Sequence, residues 1–430
     1  MIKTRNLLQI SVAVALTLQR ASVVEASHLR PRQASPPINE TLSAATLALV
    51  EQRLAESAKG SWENGTRAEA LLEYHYPELA VFYNPSLPVT PAQGVPTPVN
   101  AIAQLTIANK PSGMLQFTAD ASAGDPASLG IAIMIANATL PGVDYTGAIQ
   151  DENQWLFKVA PRTPDGAISH RTSEVQLWSD FTAMVPPYLA YYGAATGNDS
   201  AMLAAYDQIA LYRQYLTNGT NLWRHILLGD NSTQDAGYWA TGNAWAAWGM
   251  LRVLTSMLHS GYAGRYPALQ TNLQLWISTT LSESFALLNA STGLLPNYLG
   301  EQTFSDSAST ALMAATSYRM AQLGLDNSSV ASADIARRAV FANVNTTTGW
   351  LSPVVDSTNW AIQASNSSEA QSFVIILSAA YRDYQSVTGS VAAAPVVAKS
   401  AASSTIFSTF PITTTTMAAF LSSVACYCLY

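Results

Sequence analysis

The chain has 430 residues, with 21 Lys and Arg against 28 Asp and Glu, a net charge of −7 and only 11% charged residues, where a soluble protein averages about a quarter. Hydrophobic residues make up 49%, enough for a sizeable core, which excludes wholesale disorder. No basic surplus exists to hold a nucleic acid, so that partner is excluded as well.

The first 26 residues read as a secretory signal peptide. Lys3 and Arg5 supply its positive start, residues 7–18 are apolar, and small residues at Ala21 and Ala26 suit cleavage. About a dozen apolar residues are too few to cross a bilayer. Secretion answers the charge shortage, because the chain carries ten Asn-x-Ser/Thr sequons. They stand at Asn39, Asn64, Asn137, Asn198, Asn218, Asn231, Asn289, Asn327, Asn345 and Asn366, and glycans there would keep the surface wet.

From residue 38 to residue 385 the pattern is helical, over a length suited to one large domain. Apolar residues at three- and four-residue spacing predict helices over 41–59, 67–74, 99–108, 129–137, 145–156, 173–193, 199–216, 237–259, 269–288, 307–323, 331–342 and 368–384. No run of alternating strand residues interrupts them. A dozen helices without a solenoid repeat fit an all-α closed double ring of six helical hairpins. Residues 386–416 then form a Ser/Thr-rich stalk. Residues 417–430 form an apolar tail that matches a lipid (GPI) anchor signal, although an ordinary terminus fits it nearly as well. Both cysteines, Cys426 and Cys428, lie in that tail, so the folded domain offers no thiolate chemistry.

The signatures of serine hydrolases, zinc proteases, dinucleotide binders and P-loop proteins are missing, and no metal or other cofactor is expected. What is present is a cluster of tryptophans, Trp155, Trp178, Trp223, Trp239, Trp245 and Trp248. His170, His225 and several carboxylates accompany it. Flat aromatic faces cover the C–H faces of sugars while carboxylates handle protons and hydroxyls; the competing reading is a tryptophan-filled core.

Asp180 is the first candidate. Ser173 to Gln176 has capping-box spacing and starts the helix over 173–193, so Asp180 falls about two turns in, beside Trp178, Phe181 and Met184. Desolvation there raises a carboxyl's pKa, as a general acid requires, unless Asp180 only caps a neighbouring helix. Pro186-Pro187 ends or kinks this helix soon after. Asn243, at the start of a helical run, either caps it or bonds a ligand. Trp245 and Trp248 share one face and read as core.

Five segments occur in order: Asp165-Gly-Ala-Ile-Ser-His-Arg171, Gln176-Leu-Trp-Ser-Asp180 with Met184-Val-Pro-Pro-Tyr188, Trp223-Arg-His225, Trp239-Ala-Thr-Gly-Asn-Ala-Trp245, and Ser368-Glu-Ala-Gln-Ser-Phe373. The sequence resembles the unsaturated glycuronyl and rhamnogalacturonyl hydrolases of glycoside hydrolase families 88 and 105. The resemblance implies an (α/α)6 barrel and makes Asp180 the catalytic acid/base. It also implies a second aspartate on an earlier helix, placed at Asp125 with Asp120 as competitor, and contacts from His225 and Trp239 to the sugar. Its chemistry needs no metal: a proton goes to the C4=C5 vinyl ether of an unsaturated uronic acid and water adds at C5. Where the family commonly has Trp-x-Arg-Gly-Asn, this chain has Thr241, which lacks the charge to pair with a uronate. Arg171 or Arg224 would then compensate, or the substrate differs, or activity has drifted.

The expectation is a secreted, monomeric glycoside hydrolase acting on oligosaccharides from pectin-type lyases, with Asp180 and Asp125 catalytic. Trp178, His170, Arg171, His225, Trp239 and Asn243 would bind the sugar. The alternatives are a mannanase-like glycosidase pairing Asp180 with Asp125 or Asp235, and a non-catalytic carbohydrate-binding wall protein.

Overall fold

The computed structural model describes residues 40–83 and 87–392. The signal segment, the apolar tail and most of the stalk lie outside the described residues. The chain divides after Thr388, and the large unit up to that residue carries the fold. Helix α13 (Ser368–Ala392) runs beyond residue 384 into the segment read as stalk.

Six outer helices alternate with six inner layers. The outer ones are α1 (Ala44–Ser57), α3 (Thr97–Ala108), α6 (Thr146–Gln154), α8 (Asp199–Leu216), α10 (Pro267–Phe285) and α12 (Val330–Ala342). The inner layers are α2 (Ser61–His75), the broken pair α4 (Gly124–Ser128) and α5 (Gly130–Thr139), α7 (Val185–Thr196), α9 (Ala240–Leu258), α11 (Ser307–Gln322) and α13. This is an (α/α)6 barrel. Burial separates the layers: every residue of α9 from Ala240 to Met257 and of α11 from Ser307 to Met320 is buried. Helix α8 buries only the face carrying Met202, Ala205, Ile209, Tyr212 and Leu216, the stripe expected of a helix with one wet side.

The helices start where local chemistry satisfies their free N–H groups. Asn198 caps α8 by accepting from the Ala201 N–H at 3.1 Å, and Asp306 caps α11 through Ala308 and Ser309. The ring closes between its last and first inner helices. Arg382 of α13 donates to the carbonyl of Tyr74 at 2.7 Å, and buried Arg319 of α11 joins Glu73 at 2.9 Å and Asp383 at 2.6 Å. Removing one partner of so buried a set would strand a charge, at about 3–5 kcal/mol.

Three antiparallel ribbons missed by the sequence reading connect the helices: β1 (Leu177–Trp178) with β2 (Ile226–Leu227), β3 (Leu295–Pro296) with β4 (Ser305–Asp306), and β5 (Val354–Asp356) with β6 (Asn359–Ala364). The second and third are tied together. Asn297 donates to the carbonyl of Trp360 at 2.8 Å, and the Val355 N–H reaches Asp306 at 2.9 Å.

The helix expected over 173–193 is corrected by the first ribbon. Ser173 to Gln176 starts no helix; the Ser169 hydroxyl accepts from the Gln176 N–H at 2.9 Å and holds the chain extended. Strand β1 follows, then a 3₁₀ turn over Ser179–Ala183, and only then α7. Pro186 and Pro187 therefore sit in the first turn of a helix, where missing N–H donors do no harm. They begin the helix and neither end nor kink it. Among the described residues no helix is long and apolar enough to cross a membrane.

Candidate active site

Asp180 lies in the 3₁₀ turn, and two packing relationships fix that turn. Strand β1 pairs Trp178 with Ile226, and the Ser179 N–H donates to the His225 carbonyl at 2.9 Å, which brings Asp180 and His225 side by side. Behind it, α9 approaches so closely that a Cβ on Gly242 would stand 2.2 Å from the Ser179 hydroxyl. A Cβ on Gly249 would stand 2.0 Å from the Thr182 carbonyl oxygen. Only glycine permits that contact.

A cavity of about 230 Å³ opens over this turn, lined by Asp180, Asp125, Asp120, His170, Arg171, Trp178, His225 and Trp239 together with Trp62, Met184, Trp245, Trp360, Glu369 and residues 356–358. Of Asp180, Asp125 and the six residues expected to bind the sugar, only Asn243 is absent. Its side chain is consumed inside the protein, accepting from the Trp223 N–H at 2.7 Å and donating to the Trp223 and Trp239 carbonyls at 2.8 Å. Asn243 lies within α9, which begins at Ala240, so it is neither the cap of that helix nor a ligand contact. Asp235 also stays outside the lining. Of the α9 pair read as core, Trp248 is core, fully buried with its indole N–H on Glu69 at 2.8 Å. Trp245 instead lines the cavity and donates to Glu369 at 2.7 Å.

Asp125 sits in α4, buried to 9% exposure. Burial first, and then the charges of Asp120 and Asp180, push its carboxyl up to about 7, so it exchanges a proton around neutrality. His170 Nε2 is 3.8 Å away. Burial pushes that imidazole down to about 3, leaving it neutral, and its ring stacks on Trp178 at 4.8 Å and 23°. Among the described residues its Nδ1 has no hydrogen-bond partner.

His225 is the opposite case. Burial works against its charge, but the carboxylates of Asp180 and Asp235 outweigh it and raise its pKa. Its Nδ1 bonds Asp235 at 2.9 Å and its Nε2 faces Asp180 at 3.7 Å. Tyr298 donates to the same Asp235 oxygen at 2.5 Å. The set forms a line of carboxylate, imidazole and carboxylate ending at the cavity.

Arg171 lies 4.3 Å over the ring of Trp178 and among the described residues is the one arginine or lysine lining this cavity. Arg224 does not reach it. Thr241 is fully buried and donates to Asp306 at 3.0 Å, facing the α11 cap. Several lining residues escaped the sequence reading, Trp360 and Glu369 among them. Trp360 comes from β6 and meets Trp178 and His225 edge-on. Glu369 opens α13, and burial followed by the charge of Asp180 raises its carboxyl well above the ordinary range. The only available signal for Glu369 was its place in the Ser368–Phe373 segment. Among the described residues no three His, Cys, Asp or Glu side chains converge as a metal site.

The sequence profile of glycosyl hydrolase family 88 matches residues 61–279, half of the chain. The chain belongs to glycosyl hydrolase family 88. The match runs from the start of α2 well into α10 and so contains both Asp125 and Asp180. Solved structures share the family 88 chain's barrel. A possible GH105 family member from Klebsiella pneumoniae superposes with a TM-score of 0.65 at 15% identity, over 79% of this chain and 93% of that one. A family 105 glycoside hydrolase from C. acetobutylicum gives 0.59 at 11% identity, over 78% and 99%. The unsaturated glucuronyl hydrolase of Bacillus sp. GL1 gives 0.54 at 13%, over 80% and 96%. No curated protein matches the sequence.

Proposed function

We propose that this family 88 glycoside hydrolase removes an unsaturated uronic acid from the non-reducing end of oligosaccharides left by polysaccharide lyases of the pectin or rhamnogalacturonan type. The observation that carries the reading is the convergence of Asp180 and Asp125 in one tryptophan-walled cavity beside a single cation, Arg171. The aromatic rings of Trp178, Trp239 and Trp360 supply sugar-stacking faces. Arg171, held over Trp178, pairs with the uronate carboxylate in place of the arginine that Thr241 lacks.

In this reading Asp180 delivers a proton to C4 of the C4=C5 bond and then accepts one from the water that adds at C5. One water is consumed, the C5 hemiketal opens, and the next sugar leaves from C1. Asp125 hydrogen-bonds the sugar. His225, whose pKa Asp180 and Asp235 raise, stabilises the carboxylate form of Asp180 between the two proton transfers. The proposal extends to a secreted glycoprotein: Asn198, Asn218, Asn231, Asn289, Asn327, Asn345 and Asn366 are exposed, while Asn64 and Asn137 are partly buried.

The test follows the ultraviolet absorbance of the conjugated double bond in unsaturated galacturonyl and glucuronyl disaccharides. Wild type should bleach one of them. A wild-type protein inert on both, yet active on an ordinary mannan or glucan, overturns the proposal.

A further inference from the structure

A second, larger groove opens beside the first. It measures about 620 Å³ and is lined by Lys59, Ser61, Asn64, Arg67, Leu105 and Asp120 among others. Asp120 borders both cavities, its carboxylate held between the Ser61 hydroxyl at 2.5 Å and the Ser122 N–H at 3.1 Å. The two spaces therefore adjoin along one wall, as successive sugars of a chain would need.

The chemistry of this groove differs from that of the catalytic cavity. Arg67 is half-buried on α2, and among the described residues its guanidinium makes no hydrogen bond and no ion pair. Its only electrostatic perturbation is the loss of solvent. Lys59, exposed on the loop before α2, likewise has no partner for its ammonium group. A half-buried guanidinium without a counter-charge is uncommon in a resting fold, because burial weakens its hydration and nothing replaces it. The N–H groups of Lys59 and Gly60 at the start of α2 are not what is on offer, since Glu63 accepts from both at 2.7 Å. The two side-chain cations are.

We infer that this groove is a subsite for an anionic residue of the substrate's leaving chain, a uronate or a sulfate ester, recognised by Arg67 and Lys59. The inference rests on the glycuronyl hydrolase reading for its substrate class. The bound chain would run from the unsaturated sugar in the catalytic cavity past Asp120 to an acidic sugar over Arg67. Guanidinium and carboxylate or sulfate pair bidentately.

The test is a binding comparison, independent of turnover. A short oligogalacturonide and its methyl-esterified, uncharged counterpart are titrated calorimetrically into the full protein. The protein is made in a host without N-glycosylation, because Asn64 lines the same groove and lies in a sequon. Wild type should prefer the acid, and Arg67→Gln should cut that preference about tenfold. Lys59→Gln, an exposed change that leaves folding alone, should cut it in the same direction and remove part of its salt dependence. A preference unchanged in both variants overturns the inference. Wild type that shows the Arg67-dependent preference but bleaches no unsaturated disaccharide defeats the hydrolase reading instead, and keeps the groove as an acidic-sugar site.

Discussion

His225 turns its Nε2 towards Asp180 across 3.7 Å while its other ring nitrogen is bound to Asp235 at 2.9 Å. The gap to Asp180 is too long for a direct hydrogen bond, whereas the bond to Asp235 has full strength. The arrangement sets an imidazole whose pKa is raised beside the Asp180 carboxyl and leaves that carboxyl without a direct bond to it. Replacing Asp235 should therefore act through His225. In Asp235→Asn the imidazole loses one of the two carboxylates that raise its pKa, and each unit lost is tenfold in its charged fraction. The alkaline limb of kcat should move to lower pH, with KM little changed. Asp235→Glu should restore it in part. A kcat profile unchanged in Asp235→Asn would remove His225 from the reaction.

Asp180→Asn should lower kcat on an unsaturated disaccharide by about 10²–10⁴-fold while the sugar still binds. Single-turnover absorbance traces beside a binding titration separate the two effects. Activity that survives the change assigns the acid/base elsewhere in the cavity, with Glu369 next in line.

Much of this was legible from sequence wherever a residue's role is local. Helix α8 was read with both ends correct because Asn198 caps it and its apolar stripe repeats cleanly. The surroundings of Asp180 were misread because Ser173 to Gln176 carries the spacing of a capping box. In the fold, Gln176 spends its side chain on Trp178 at 2.6 Å and Thr233 at 2.8 Å, the latter 57 residues away, so a long-range contact overrides a local signal. Trp360 was invisible for a related reason. It sits in a largely exposed six-residue strand, and only the closed ring brings its indole to His225. The tryptophan cluster itself was only half resolved, because periodicity cannot tell Trp245 in the cavity wall from Trp248 three residues on in the core.

Arg171 and Thr241 divide the question of the uronate. If Arg171 takes the carboxylate, Arg171→Gln should raise KM for the unsaturated acid about tenfold, with a smaller effect on kcat, and Arg171→Lys should fall between. Restoring the family arginine at Thr241 should not help. That side chain is fully buried against Asp306, the residue that caps α11 and holds Val355. A guanidinium there would be both oversized and desolvated. Thr241→Arg should therefore lower stability by about 3 kcal/mol or more, read as a lower denaturation midpoint. An active, equally stable Thr241→Arg would show that this wall yields to substrate.

Stability should fall as pH rises through neutrality, a sign set by buried carboxyls outside any ion pair. Burial pushes Asp125 up to about 7 and Glu152 up to about 8, the latter against the Phe117 N–H that Glu152 accepts at 2.6 Å. In the unfolded chain both titrate near 4. Between those limits the folded state binds more protons than the unfolded one, so the slope of unfolding free energy with pH is negative. The stabilisation is fully present below about pH 4 and is lost as pH climbs through about 7 and 8. Glu152→Gln removes the ionisation but keeps an oxygen for the Phe117 N–H. It should raise the unfolding free energy at pH 8 by about 1–2 kcal/mol, read as a higher denaturation midpoint, and leave it nearly unchanged at pH 5. A gain of equal size at both pH values would mean that packing, and not the buried charge, governs that site.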